Sequence, residues 1–585
     1  MPKRKDAQQP QPRRTEPARP ASARPPPAQP SVPHKPSYWR LGFIFLRIAV
    51  CAGALYVLYQ KLHGPAPVTD EAEDPERVTF EPIERDEHRR QAILDAFKAS
   101  LPRVHSYEAY ERDAFGFDDY HPISHKGSNM SPAGPVGYFV IDSLDSLLLT
   151  GLKDEYQRAR DWVAELSFDL DDKFHTFEIT IRVLGGLLSA YHLSGETDQM
   201  LLDKAVDLAD RLLPAFETES GIPMSFVNLA KRTGILDHDN RGLTSVAEAG
   251  TLQLEFKYLS QLTGNPIYWQ KVEKVMEVIR AQPHKDGLVP IFMRSDTGDF
   301  VFSDIRLGSR GDSYYEYLYK QFVQTNGTEP VYRDMHVQAM DGIKRHLLKR
   351  SATRDLVYTS ELLPRRNPVT GGFEMADTPK QDHLVCFLGA SLLLGATDSN
   401  RLPVPPDESL FTDAQLDDWY AGKALIKTCV DTYTSSKTGL APEIVNFYTS
   451  PAEARRHHRE WFINSRKLTY PDPPIDARNI LRPETAESLF VAYRVTGDPI
   501  YRTWGWTIFQ AFEKHCRLPE GGYASVRDVD QVPVEHEDRM ETFWISETLK
   551  YLFLLYSEKE VIPLQDYTLN TEAHPLPCFQ PTVAV

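Results

Sequence analysis

Five cysteines in 585 residues are too few for a disulfide-built scaffold, and none stands in the paired Cys/His spacing that ligates zinc. Also missing are a glycine-rich phosphate loop, a dinucleotide fingerprint and a nucleophile elbow, which removes the common signatures of nucleotide, redox and serine-esterase chemistry. Positive charge is short as well. Lys and Arg number 66 against 82 Asp and Glu, and the net charge of −16 argues against nucleic acid as a partner. Long apolar runs are absent with one exception, LGFIFLRIAVCAGALYVLY at 41–59, about the length a helix needs to cross a bilayer.

That exception organises the N-terminal part of the chain. Residues 1–40 are rich in Pro, Ala, Gln and Arg and cannot build a core, so they read as a disordered basic tail. The basic flank precedes the apolar run and no small-residue cleavage site follows it. The positive-inside rule then makes 41–60 an uncleaved signal anchor, with the tail in the cytosol and the rest in a lumen. Residues 61–82 are acidic, Pro-containing and aperiodic, a linker. Residues 83–585 have globular texture throughout. With Cys51 in the anchor, Cys386, Cys429, Cys516 and Cys578 remain for an oxidising compartment, enough for one structural disulfide. Sequons at Asn129 and Asn326 suit luminal exposure.

Some 500 residues without a composition break exceed one ordinary core, and a repeated unit solves that problem. LTGNPIYW at 262–269 and VTGDPIYR at 495–502 are nearly the same octapeptide, each lying between two apolar-periodic helical segments. Gly ends the first helix and Pro opens the second, so the unit is an αα-hairpin. Weaker copies occur at Gly195 and Gly327. One helix length before each turn stands a charged or ligand-type residue: Glu178, Glu248, Asp312, His383 (before Gly395) and Glu484. If the hairpins close into a ring, these residues share one mouth. Helix capping alone accounts for some of them. Short strands are expected around 288–292 and near the C-terminus.

Within these segments, LRPETAES places Glu484 and Glu487 on one helix face beside Arg482, and FEITIR sets Glu178 four residues before Arg182. RGDSYYE adds Arg310 and Asp312. ETFWISE flanks Phe543 with acids, and LAPE places Glu443 beyond a Gly/Pro break. Acids to protonate a leaving group and activate water, Arg to fix hydroxyls and aromatics to stack on a ring describe a glycosidase pocket. Near the end, LNTEAHPLP brings a hydroxyl, a carboxylate and an imidazole together between prolines, and Thr571 offers a hard cation both hydroxyl and carbonyl oxygen.

FEITIRVLGGLLSAYHLSG, LGSRGDSYYEYLYKQ, HLVCFLGASLLLG, LAPEIVNF, LRPETAESLF, ETFWISETLKYLFLLYSE and LNTEAHPLP, in this order, resemble the class I α-1,2-mannosidases, glycoside hydrolase family 47. The resemblance runs from about residue 89 to 577. It implies an all-α fold, an (α/α)7 barrel of helical hairpins plugged by a C-terminal β-hairpin and here preceded by one transmembrane helix. It also implies an inverting hydrolysis and a Ca²⁺ cofactor held by Thr571. Glu178 and Asp312 correspond to acids near the glycosidic oxygen, Glu178 being the family's usual general acid. Glu484 corresponds to the base and Glu443 to a further proton donor. Arg182, Arg310, His383, Arg482, Glu487, Phe543, Glu547 and Glu572 correspond to the sugar- and water-binding shell, and Cys386 and Cys429 to a disulfide pair. The chain departs from the common pattern at Phe115–Asp119 and at Pro135. Arg310 is similar to the endoplasmic-reticulum subtype.

The expectation is therefore a monomeric type II protein of the endoplasmic-reticulum membrane, with the Golgi as the alternative, that trims terminal α-1,2-mannose from high-mannose N-glycans. Two rival expectations are a relative acting on misfolded glycoproteins with a partner, and a non-catalytic mannose-binding receptor on the same scaffold. Activity on a free oligosaccharide without any partner counts against the first rival, and binding without product release marks the second.

Overall fold

The inner helices of this protein are buried on nearly every side, while their partners bury one stripe. Ile267–Ala281, for example, buries Tyr268, Trp269, Val272, Val275, Met276 and Ile279, spaced three and four apart, whereas all thirteen residues of Glu484–Thr496 are buried. A helix of the first kind covers a core and one of the second kind lies within it. The computed structural model describes residues 82–98, 105–399, 401–464 and 474–583, which belong to one compact unit. The anchor expected at 41–60, the tail and most of the linker lie outside these residues. Among the described residues, no helix is long and apolar enough to cross a membrane.

Seven inner helices, Tyr138–Thr150, Gly185–Leu193, Gln253–Thr263, Asp312–Gln324, Phe387–Ala396, Glu484–Thr496 and Leu549–Leu555, each touch the next, and the last touches the π-helical turn and first helix that close the ring. Each pairs with an outer helix. In the same order these are Lys153–Glu165, Gln199–Leu212, Ile267–Ala281, Pro330–His346, Asp413–Thr434, Ile500–His515 and, closing the circle, Glu87–Phe97. The result is an (α/α)7 barrel. Gly264 and Gly497 end their helices in the left-handed region at φ +70° and +71°, as the octapeptides imply.

Gly395 does not. It lies inside Phe387–Ala396, where an added Cβ would meet His336 Nε2 at 2.8 Å, and the chain turns instead at Asp398 and Ser399. The Cys386–Cys429 disulfide forms and ties the start of that inner helix to its outer partner. Cys516 and Cys578 are free.

Around the helical barrel, the long loops at the helix starts pair with one another in small antiparallel sheets, satisfying backbone groups that helices cannot. Lys173–His175, Leu243–Ser245 and Lys380–Asp382 each run into the short helical turns that lead to an inner helix, and each is the first strand of a three-stranded sheet. The strand expected at 288–292 is Phe292–Arg294. At the C-terminus Tyr567–Leu569 pairs with Pro575–Pro577, and this hairpin contacts inner helices of the ring. Gly185 is where the helix lets it approach. A Cβ there would meet Asn570 Nδ2 at 2.6 Å.

Candidate active site

All seven inner helices run in the same sense, so their N-termini meet at one end, with the orphan N–H groups and positive dipole ends that favour carboxylates. Glu178, Glu248, Asp312, Glu484 and Glu547 stand in these first turns or the turns just before them. They line one cavity of about 380 Å³, together with His175, Arg182, Arg310, Glu316, Arg482, Glu487 and Phe543, and with Thr571 and Glu572 from the hairpin tip. Three non-glycine residues in left-handed backbone, Arg310, Leu481 and Ala573, lie in or next to this wall. Such strain persists where the surroundings over-determine the position.

Cations organise the acids. Arg182 Nε donates to Glu178 Oε2 at 3.0 Å and its Nη1 to Glu572 Oε2 at 2.6 Å. Arg482 grips both oxygens of Glu443 through Nε, at 2.8 and 2.9 Å, and reaches Glu484 Oε1 at 3.4 Å. Phe543 has both guanidinium groups 5.9 Å from its ring centre. His383 Nδ1 lies 2.8 Å from Glu484 Oε2, while Nε2 faces the hydroxyls of Tyr433 and Thr485. The ring therefore donates from Nδ1. Lys320 bonds Glu316 and stands 3.6 Å from Glu487.

These partners push the carboxyl groups apart. Burial alone would raise Glu484, but Arg482 and His383 outweigh it and hold the group below the usual range. Glu178 is likewise held low, with Arg182 and His175 overcoming its burial. At Asp312 burial wins. The Ser313 N–H favours the carboxylate, but Glu316 and Glu484 add repulsion, and the group is pushed up to about 7. Burial raises Glu487 to about 8 against the pull of Lys320. Burial and then repulsion from Glu572 push Glu547 well up, and burial raises Glu572 to about 8 against the pull of Arg182. One pocket thus combines a carboxylic acid that keeps its proton near neutrality with ionised carboxylates, the pairing that acid–base hydrolysis needs.

Residues 103–578 match the profile of Glycosyl hydrolase family 47. The chain belongs to this family. It is 44% identical over 500 residues to a Candida albicans protein named mannosyl-oligosaccharide 1,2-alpha-mannosidase, covering 84% of this chain and 83% of that one. It is 42% identical over 481 residues to the endoplasmic reticulum mannosyl-oligosaccharide 1,2-alpha-mannosidase of Schizosaccharomyces pombe, covering 81% and 88%. Among solved structures, the alpha-1,2-mannosidase from Trichoderma reesei is similar, with a TM-score of 0.70 at 29% identity over 85% of this chain and all of that one.

In this family 47 chain the cavity gathers Glu178, Arg182, Arg310, Asp312, Arg482, Glu484, Glu487, Phe543, Glu547, Thr571 and Glu572, all singled out from sequence. Glu443 and His383 are not on its wall. Arg482 occupies both Glu443 oxygens, and His383 is buried against Glu484. Sequence reasoning passed over His175 and Glu316, although His175 lies two residues before the FEITIR segment and Glu316 four residues after Asp312. Glu248 was noticed only as a helix start. It caps its helix in a capping box with Ser245 and also lines the cavity.

Proposed function

We propose that this chain is a mannosyl-oligosaccharide 1,2-α-mannosidase that removes terminal α-1,2-linked mannose from high-mannose N-glycans with inversion. The observation that carries the reading is the single cavity that Asp312, whose burial raises its affinity for a proton, shares with Glu178 and Glu484, each held low by a neighbouring arginine. In this reading Asp312 supplies the proton to the leaving oxygen. Glu178, fixed by Arg182 and by Tyr138 Oη at 3.1 Å, orients the proton path. Glu484, fixed by Arg482 and His383, takes the proton of the attacking water. Acid and base come from different hairpins of the ring and line the same cavity, and inversion requires that they admit a water between them. Glu443 keeps Arg482 in place and Phe543 offers the sugar an apolar face.

Thr571 fits a Ca²⁺ ligand. Among the described residues no group of three or more His, Cys, Asp or Glu forms a metal cage, so the fit rests on hard oxygens at a hairpin tip surrounded by Glu487, Glu547 and Glu572. Their raised affinity for protons marks unbalanced negative charge that a divalent cation would offset. When bound, Ca²⁺ would supply charge stabilisation and a grip on vicinal hydroxyls. Residence in the endoplasmic-reticulum membrane through 41–60 is part of the same proposal. It is supported by the segment's length and basic flank and by the compartment in the names of relatives.

The test is product analysis of the purified full-length chain with a free nine-mannose oligosaccharide, with and without chelator, following the anomer first released by NMR. Release of β-mannose, lost with chelator and in Glu484→Gln, is expected. No release at any Ca²⁺ concentration would overturn the assignment, and release of α-mannose would overturn the inverting mechanism.

A further inference from the structure

One fully buried charged cluster takes no part in the chemistry above. The segment IDSLD puts Asp142 and Asp145 three apart on the inner helix Tyr138–Thr150, and both meet His574 at the base of the hairpin tip. His574 Nδ1 lies 2.7 Å from Asp145 Oδ2 and Nε2 lies 3.1 Å from Asp142 Oδ1, and none of the three side chains is exposed. A ring with a carboxylate at each nitrogen binds both only when both nitrogens carry a proton, so His574 is the imidazolium. Burial opposes that charge, but the two acids overcome it and hold the group up to about 9.

Lys550 Nζ completes the balance, 2.8 Å from Asp145 Oδ1 and 2.8 Å from the Ala573 carbonyl. The hydroxyls of Ser189 and Ser546 donate to Asp145 and Asp142. The cluster is not isolated from the cavity. Asp142 Oδ2 stands 3.7 Å from Arg182 Nη1, the guanidinium that holds Glu178 and Glu572. On the other side of the tip, Asn570 is fixed by Glu255 and by the Ile181 carbonyl, both at 2.8 Å, and the Thr571 N–H meets Tyr317 Oη. The tip is therefore held from several inner helices and from the π-helical turn that carries Ile181 and Arg182.

Buried ion clusters seldom add stability over apolar residues of the same volume; what they can add is one geometry. We propose that His574, with Asp142, Asp145 and Lys550, is a positioning latch that seats the hairpin tip so that Thr571 and Glu572 face the cavity and Arg182 stays against Glu178. The part that concerns Thr571 as a cation ligand rests on the calcium reading above. His574 acts through the tip and does not touch substrate.

Two variants of the full-length chain test this: His574→Gln, whose amide can serve one carboxylate but not both, and Asp142→Asn, which keeps the volume and removes the charge. Hydrogen exchange of the 567–577 peptide and calorimetric titration with Ca²⁺ are the readouts. Exchange of the tip amides roughly tenfold faster and a Ca²⁺ Kd roughly tenfold weaker are expected, with inner-helix peptides protected as in the wild type. Tip protection and Kd indistinguishable from wild type in either folded variant would overturn the latch, as would loss confined to overall unfolding temperature. If His574→Gln does not fold, Asp142→Asn carries the same two outcomes. If the wild type takes up no Ca²⁺, the calcium reading fails, and the exchange comparison still decides the latch.

Discussion

Asp312 sits where a carboxylate is usually comfortable. It is the first residue of the helix Asp312–Gln324 and its Oδ1 accepts the Ser313 N–H at 3.0 Å. Burial, with Glu316 and Glu484 nearby, nonetheless lifts it from 3.8 to about 7. A rise of about 3 units corresponds to about 4 kcal/mol between protonation states, and partial solvent contact at the cavity wall reduces this to about 2–3 kcal/mol. The sign follows from linkage. Between pH 3.8 and about 7 the folded chain holds a proton that the unfolded chain has lost, so stability falls as pH rises through this window. Asp312→Asn removes that dependence. In chelator, so that no divalent cation compensates, urea unfolding should show the variant more stable than wild type at pH 8 by about 2–3 kcal/mol, the gain shrinking toward pH 4 and vanishing below it. Hydrolysis should meanwhile fall by about 10²–10⁴ in kcat/KM, the contribution of a positioned proton donor. A variant destabilised equally at pH 4 and pH 8, or one that keeps wild-type turnover, would refute the assignment of the proton to Asp312.

Arg482→Met leaves Glu443 buried without its partner and should cost about 3–5 kcal/mol in urea unfolding, part of which Glu443→Gln on the same background should restore. Equal losses in the single and double variants would mean that the clamp is not what the pair contributes. Cys386→Ser opens a bridge spanning 43 residues, and loop entropy alone predicts a loss of about 4 kcal/mol in the unfolding free energy, measured against reduced wild type as control.

The hairpin repeat was legible because Gly264 and Gly497 do one local job: each ends a helix in a backbone region that disfavours a side chain. The same rule fails at Gly395, whose reason is a neighbour, His336, 59 positions earlier. Strands of two to four residues carry no readable period, so of the small sheets only the strand near 288–292 and the C-terminal hairpin were legible. The site divides in the same way. Glu178 with Arg182, and Asp312 with Glu316, share a helix face and could be paired from spacing. Arg482 with Glu443, His383 with Glu484 and His574 with Asp142 are separated by 39, 101 and 432 positions, and a single chain gives no local signal for such pairs.

Carboxylates at helix starts have an ordinary explanation in capping, and Glu248 tests whether capping competes with function. Its Oε2 accepts the Ser245 N–H at 3.0 Å, a capping-box bond, while its other oxygen faces His175 at 3.3 Å and the side chain lines the cavity. Both readings hold for one residue. The barrel makes that economical, because converging helix N-termini attract acids for stability and deliver them to the same few hundred cubic ångströms. Asp312, Glu178 and Glu484 go further, since their strongest partners are other side chains of the site or burial itself, not the backbone of their own helix. What sets the proposed catalytic acids apart is thus not their place at a helix start, which capping shares, but the opposed directions in which one cavity moves their affinity for a proton.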